Sequence, residues 1–416
     1  MPDIVKSSVV RLLGIDRAIE WRTAAYRTGR HLKKMLATGQ GHRHEVRKLS
    51  ITGRDVFFGY YDKTPFDATN RHLLAVTLPR NSVPGEAAAD IGWFGPDGEF
   101  HQIGSSRTWN WQQGCRLQWF PGSNGELVSY NTAKRSESMW CIQDLGTREV
   151  IHAIPTPAYD VDSQGRWALS LNFCRLHRLR PGYGYVHTDQ HGRQPENDGI
   201  WRVEISSGHS DLIIDLRRLG TVDPHQSMRN ACHYINHLSF NPSGERFLFF
   251  HLWLNGGVRY RRALTSDLDG QNLCVLTNDM VSHYSWKSDS EVLITLQDNK
   301  GRFRYEMFKD LSARREQVGE GILLEDGHPG FNPISGWLLS DTYPDRYGER
   351  GLFIYDLDRT YIEMGRFYSP FSFRGESRCD LHPRWNQTGD AICFDSTHEG
   401  YRAMYVVDLP DESLGH

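Results

Sequence analysis

Seven times along this chain, a turn rich in Asn, Pro, Ser, Asp and Gly leads into an alternating run rich in apolar residues. The turns lie at Phe66-Asp67-Ala68-Thr69-Asn70, Pro121-Gly122-Ser123-Asn124-Gly125, Asp162-Ser163-Gln164-Gly165, Asn241-Pro242-Ser243-Gly244, Lys287-Ser288-Asp289-Ser290, Asn332-Pro333-Ile334-Ser335-Gly336 and Asn386-Gln387-Thr388-Gly389. Successive turns are roughly 40 to 55 residues apart, with one gap of about 80 that must hold an insertion. Strands of this kind cannot bury their faces alone, and a repeat of this size signals radial repetition. The expected fold is all-β, a seven-bladed β-propeller in which every blade contributes loops to one axial pocket.

Seven four-stranded blades use most of the 416 residues, so residues 46–416 are expected to form one unit. The 12 Trp suit large side chains wedged between twisted blades. A formal net charge of −3 provides no global field for nucleic acid, so an anionic ligand must be met by local basic residues. Seven scattered Cys without a CxxC pair argue against a disulfide framework. The N-terminus lacks the apolar core of a signal peptide, and no stretch reaches the ~20 apolar residues of a membrane span. A cytoplasmic location is the expectation.

Residues 1–45 differ from the rest. Lys6, Arg11, Arg17, Arg22, Arg27, Arg30, Lys33 and Lys34 are interleaved with Val5, Val9, Leu12, Leu13 and Ile19 at roughly helical spacing. One or two basic amphipathic helices are expected here, packed on the propeller or touching an anionic membrane or a protein partner.

The chemistry-bearing residues recur at one level, just ahead of each turn. Cys379-Asp380-Leu381-His382 can chelate one divalent ion through a thiolate or carboxylate and an imidazole. His283, and Asp326 with His328, occupy the equivalent places in the two preceding blades. Asn236-His237 stands at that level too, and an imidazole there could exchange protons near neutrality. The gap from about 172 to 240 is expected to carry Arg- and His-rich loops over the pocket. Within it, Arg175, His177, Arg178, Arg180, Tyr183 and Tyr185 form the densest polar cluster, able to hold a carboxylate and present a phenol. Tyr61, Asp62, Lys63, Trp111, Gln113, Gln118 and Asn131 are what sugar rings need: apolar faces beside fixed hydrogen-bonding partners. No GxSxG, P-loop or dinucleotide fingerprint occurs.

The order Asn236-His237-Leu238-Ser239-Phe240-Asn241-Pro242, Ser282-His283-Tyr284-Ser285-Trp286, His382-Pro383-Arg384-Trp385 resembles that of oligogalacturonate lyases. Tyr60-Tyr61-Asp62-Lys63, Trp111-Gln112-Gln113-Gly114, the Arg175 to Tyr185 segment and Asp326-Gly327-His328-Pro329 look still more like the ulvan-lyase branch of that architecture. The resemblance spans about residues 50–410. It implies His237 as the catalytic His, His283 and His382 as metal ligands, and Tyr183 or Tyr185 as the phenolic base. Cys379 falls where the family uses Gln, which points to zinc rather than manganese. One departure stands out. The ulvan lyases' His pair in the second blade has no counterpart, since residues 105–150 contain no His. Either His237 and a Tyr suffice, or the chemistry has been lost or changed.

The leading expectation is a lyase that cleaves a uronate-containing oligo- or polysaccharide by β-elimination. Arg175, Arg178 or Arg180, with the metal, would neutralise the carboxylate; Tyr183, Tyr185 or His237 would serve as base or acid. The alternative is a non-catalytic propeller that binds an anionic glycan. A hydrolase would need facing carboxylates, for which Asp62, Asp198 and Asp326 are the candidates.

Overall fold

Each of the seven turns closes a hairpin between the first and second strands of a sheet, and in several of them one side chain makes the turn. The Oδ1 atoms of Asp67, Asp162, Asn241 and Asn386 each accept backbone N–H groups four and five residues ahead, at 2.7–3.1 Å. Asx side chains that replace a backbone acceptor in this way are why these residues recur at these positions.

The computed structural model describes residues 46–135, 137–186 and 197–409. They form seven four-stranded antiparallel sheets arranged as the blades of a β-propeller. The first strands, which line the axis, are Arg54–Phe57, Gln118–Trp119, Asp160–Val161, Cys232–Phe240, Met280–Trp286, Gly330–Phe331 and Arg384–Trp385. The seventh blade closes the ring by borrowing: Arg384–Trp385, Ala391–Ser396 and Ala403–Asp408 are completed by Val46–Leu49, paired in the register Val46↔Val407 to Leu49↔Met404. The basic helices expected within residues 1–45 lie outside the described residues.

Blades pack through apolar side chains such as Leu248, Phe250, Leu264, Val292 and Ile294, all at most 1% exposed. Three tryptophans clasp neighbouring blades. The indole N–H groups of Trp119, Trp286 and Trp385 donate to the backbone oxygens of Pro65, Ser239 and Gly330 in the preceding blade.

The long gap between turns runs through blade 3, from the turn at 162–165 past the strand Trp167–Leu171 to the turn at 241–244. It is less loop than its composition suggests. The helix Phe173–Leu179 opens it, N-capped by the Asn172 side chain, and strands Gly199–Glu204 and Ser210–Asp215 and helix Leu216–Thr221 fill most of the remainder. The seven turns define a lower face; the blade 3 insertion and the connections between blades define the upper one. Among the described residues, no helix is long and apolar enough to cross a membrane.

Candidate active site

Two first strands lose register at the candidate residues: pairing shifts between Asn236 and Ser239 and between Val281 and Tyr284. His237 and His382 adopt left-handed backbone conformations, φ +59° and +43°. A bulge leaves an extra residue out of the ladder and re-aims its side chain, as at His237 and His283. His328 and His382 stand just ahead of the strands Gly330–Phe331 and Arg384–Trp385. His237, His328 and His382 surround Tyr60, whose ring stacks on His237 (5.3 Å between centroids) and meets His382 at 4.9 Å and His328 at 6.1 Å. All four are buried.

Ligand atoms of His328, Asp380 and His382 lie within 4.8 Å of one another. His328 Nδ1 lies 2.7 Å from Asp341 Oδ1, and His382 Nδ1 lies 2.8 Å from the Gly59 carbonyl. With the protons on Nδ1, both Nε2 atoms present lone pairs to the group, and neither has a hydrogen-bond partner. Carboxylate–imidazole and carbonyl–imidazole contacts of this kind orient metal ligands in known sites. Burial would push the Asp380 carboxyl up, but Arg378 and Arg350 hold it well below the usual range, so it is an anion. Two orphaned imidazole nitrogens and a buried carboxylate, itself ion-paired with Arg350 at 2.9 Å and Arg378 at 2.8 Å, are the donors that could hold a divalent cation.

Three of the expected ligands lie outside this group. Cys379 directs its thiol to the Asp380 carbonyl (3.7 Å), and burial pushes that thiol up to about 12. His283 and Asp326 pair with each other, Nδ1 to Oδ1 at 2.9 Å. The thiolate was the ground for expecting zinc, and the argument for zinc falls with it.

Beside the histidines lies a cationic pocket. Arg378 Nη2 donates to the Tyr183 hydroxyl (2.6 Å), and the Arg180 guanidinium lies 4.2 Å over the Tyr183 ring. Burial raises the Tyr183 phenol, but Arg378 and Arg180 outweigh it and hold the group below the ordinary tyrosine value. Arg261, from the strand Val258–Asp267, is close enough to Arg180 for each to oppose the other's charge. Neither Arg180 nor Arg261 has a carboxylate partner among the described residues. The other members of the segment do different work. Arg175 is tied to Asp198 (2.5 Å), Arg178 is exposed on the helix, and His177 is half-buried, with burial lowering its pKa. Tyr185 stacks on Phe173 at 4.4 Å and accepts from Asn131 Nδ2 at 2.8 Å, which places both Tyr185 and Asn131 in the packing of blades 2 and 3.

His237 rests on a relay. The Tyr159 hydroxyl accepts from Gln113 Nε2 (2.6 Å) and from the His237 backbone N–H (3.2 Å), and donates to Asn236 Oδ1 (3.1 Å). Asn236 Nδ2 then donates to His237 Nε2 (3.1 Å). The His237 proton is therefore on Nδ1, which has no partner. Burial, then Arg180, holds this imidazole well below its ordinary pKa, so it is neutral. Trp111 packs edge-on against Trp109 at 5.0 Å and beneath the Arg402 guanidinium.

Asp62, Lys63 and Gln118 face elsewhere, while the Tyr61 ring packs on His328 at 5.1 Å and on His283 at 5.9 Å. All four line a cavity of about 630 Å³ that opens on the lower face, with Asp160, Trp119, Trp286 and Trp385 among its other walls. There Lys63 is paired with Asp160, and Asp62 with Arg116. Asp62, Asp198 and Asp326 are thus each committed to a partner (Arg116, Arg175 and His283), which leaves no facing pair for hydrolysis.

Sequence reasoning passed over Arg261, Asp341 and Arg378, and Tyr60 stood only within the Tyr60-Tyr61-Asp62-Lys63 motif, without a role of its own. The doublet Arg261-Arg262, directly ahead of the buried Ala263-Leu264, was the available signal for one of them.

No protein-family model matches the chain, and no curated protein matches it by sequence. Solved structures do. An oligogalacturonate lyase from Vibrio parahaemolyticus superposes with a TM-score of 0.64 at 14% identity, over 89% of this chain and 95% of that one. An oligogalacturonate lyase in complex with manganese gives a TM-score of 0.64 at 15% identity, over 88% and 94%. The seven-bladed propeller described here is similar in fold to oligogalacturonate lyases along nearly its whole length.

Proposed function

We propose that the cluster of histidines, arginines and Tyr183 around Tyr60 is the active site of a lyase that cleaves a uronate-containing oligosaccharide by β-elimination. The observation that carries this reading is the pair Arg180 and Arg261, half-buried cations without carboxylate partners among the described residues, beside Tyr183 and the imidazole cluster. A guanidinium partly withdrawn from water favours an anion beside it. A planar carboxylate between two forks satisfies both, and binding it there also stabilises the enolate that forms when C5 loses its proton.

In the reaction the C5–H bond breaks, its electron pair forms the C4=C5 double bond, the C4–O bond breaks, and the leaving oxygen gains a proton. Tyr183 suits the base: Arg378 and Arg180 favour its phenolate and so poise it to take the C5 proton. His237 suits a donor, because its free ring atom is Nδ1–H. A divalent cation held by His328, Asp380 and His382 would supply Lewis-acid stabilisation of the carboxylate. Manganese suits these two imidazoles and a carboxylate without sulfur, and a lyase of the same fold binds it. His237 and His328 are 0% exposed, so a sugar reaches them only when surrounding side chains move.

The test is the ultraviolet absorbance of the unsaturated uronate, followed while manganese-loaded protein is offered a panel of uronate oligosaccharides. A rise supports β-elimination. A flat trace across the panel, with binding still detectable, would replace the lyase with a glycan-binding propeller.

A further inference from the structure

We propose that Asp341 is the positioning residue of the metal centre, a single carboxylate that sets both imidazole ligands across the boundary between blades 6 and 7. This rests on the metal reading above.

Asp341 ends the strand Leu338–Asp341 of blade 6 and is 0% exposed. Its Oδ1 accepts twice from His328, from the backbone N–H at 2.9 Å and from Nδ1 at 2.7 Å. Its Oδ2 accepts the backbone N–H of His382, in the next blade, at 3.2 Å. The first pair fixes the rotamer and tautomer of His328, leaving the Nε2 lone pair towards Asp380 and His382. The third bond supports a histidine at φ +43°, a conformation that non-glycine residues hold only when surrounding contacts impose it.

The backbone of this corner is built for that contact. A Cβ on Gly327 would lie 2.0 Å from the Asp341 carbonyl oxygen and 2.7 Å from Ser340 Oγ. Only glycine lets residues 326–328 pass close enough to the Leu338–Asp341 strand for the His328 N–H to reach the carboxylate. His382 has a second, independent restraint, the Gly59 carbonyl on its Nδ1. Asp341 is therefore expected to govern His328 fully and His382 in part.

An asparagine at 341 keeps the size but has one acceptor oxygen, and its amide would turn N–H groups towards at least one of the three donors. Calorimetric titration of metal-free protein with MnCl2 should show Asp341→Asn binding about 10- to 100-fold more weakly than wild type, the usual cost of losing such an outer partner. Equal affinity in the two proteins overturns the positioning role and leaves the metal centre standing. A wild type that binds no Mn²⁺ overturns the metal reading, and the role of Asp341 with it. If the variant does not fold, 15N NMR of the wild-type metal-free protein decides. His328 protonated on Nδ1 is the expected result, and protonation on Nε2 overturns the proposal.

Discussion

The hydroxyl of Tyr61 lies 3.0 Å from both the backbone nitrogen and the backbone oxygen of Tyr284, tying the first blade to the fifth across the axis. It accepts the Tyr284 N–H and donates to the Tyr284 carbonyl. Tyr60, its neighbour, faces the histidines, while Tyr61 also lines the lower cavity. Tyr61 thus stands between the histidines and the lower cavity, touching both.

Tyr61→Phe should therefore be costly for a change that removes one buried hydroxyl. It leaves a buried N–H and C=O of Tyr284 unpartnered, a loss of about 1–3 kcal/mol. Chemical denaturation of the two proteins measures it; equal midpoints and slopes would show that the cross-tie contributes nothing.

If Tyr183 is the base and Arg261 one half of a carboxylate clamp, Tyr183→Phe and Arg261→Ala should each lower kcat/KM by about 10²-fold or more on a cleaved oligosaccharide. His237→Ala should mainly lower kcat, since its role is to donate a proton from Nδ1. Full turnover by Tyr183→Phe would transfer the base to another group.

The pH–rate profile tests the electrostatics of that base. With Tyr183 held below its ordinary value by Arg378 and Arg180, activity should rise with pH along a limb that lies below about 10, the tyrosine reference. Removing the first of these cations in Arg378→Gln should move the limb upward. An unmoved limb would mean that the titrating group is not Tyr183.

Stability should fall on acidification for a separate reason. His233 Nδ1 and His251 Nε2 are 2.8 Å apart, and Arg262 Nε donates to His251 Nδ1 at 3.2 Å. Burial, then Arg262, depresses His251 strongly, while burial depresses His233 and His237. A histidine depressed in the folded state binds its proton more readily unfolded. Its contribution is complete above the unfolded value of about 6.5 and is lost as pH drops below it. Thermal melts of metal-free protein should be flat from pH 8 to 7 and fall below about 6.5. His251→Gln should reduce the slope of that fall.

Manganese should raise the melting temperature of wild type, by the equivalent of about 2.7 kcal/mol at a hundredfold excess over Kd. His382→Ala should abolish the gain. A gain that survives this change would place the ion elsewhere.

Much of the architecture was legible because its determinants are local. An Asx side chain can close a turn with its own neighbours, so Asp67, Asp162, Asn241 and Asn386 marked the blade hairpins without any knowledge of the fold. The common level of Asn236-His237, His283 and His382 followed from their spacing to those turns. The closing of the last blade by Val46–Leu49 was not legible, because Val46 meets Val407 only after the ring has formed. Nor was the meeting of Arg261 with Arg180, which are held together by tertiary packing between a blade 4 strand and the blade 3 insertion.

The ligand set shows the boundary most clearly. From sequence alone, Cys379 is the ligand expected beside His382, and Asp380 is not. The two lie in the irregular stretch ahead of the strand Arg384–Trp385, where no strand period fixes which side chain faces the histidines. The sequence determined that a metal-ligating pair could stand here; in the folded chain the Asp380 carboxylate lies with the His328 and His382 imidazoles, the Cys379 thiol turns to a backbone carbonyl, and Asp341 and Gly59 hold the two rings. Local hydrogen bonding suffices to make the blades, while the facing of single side chains towards a shared axis depends on register, which only the closed ring sets.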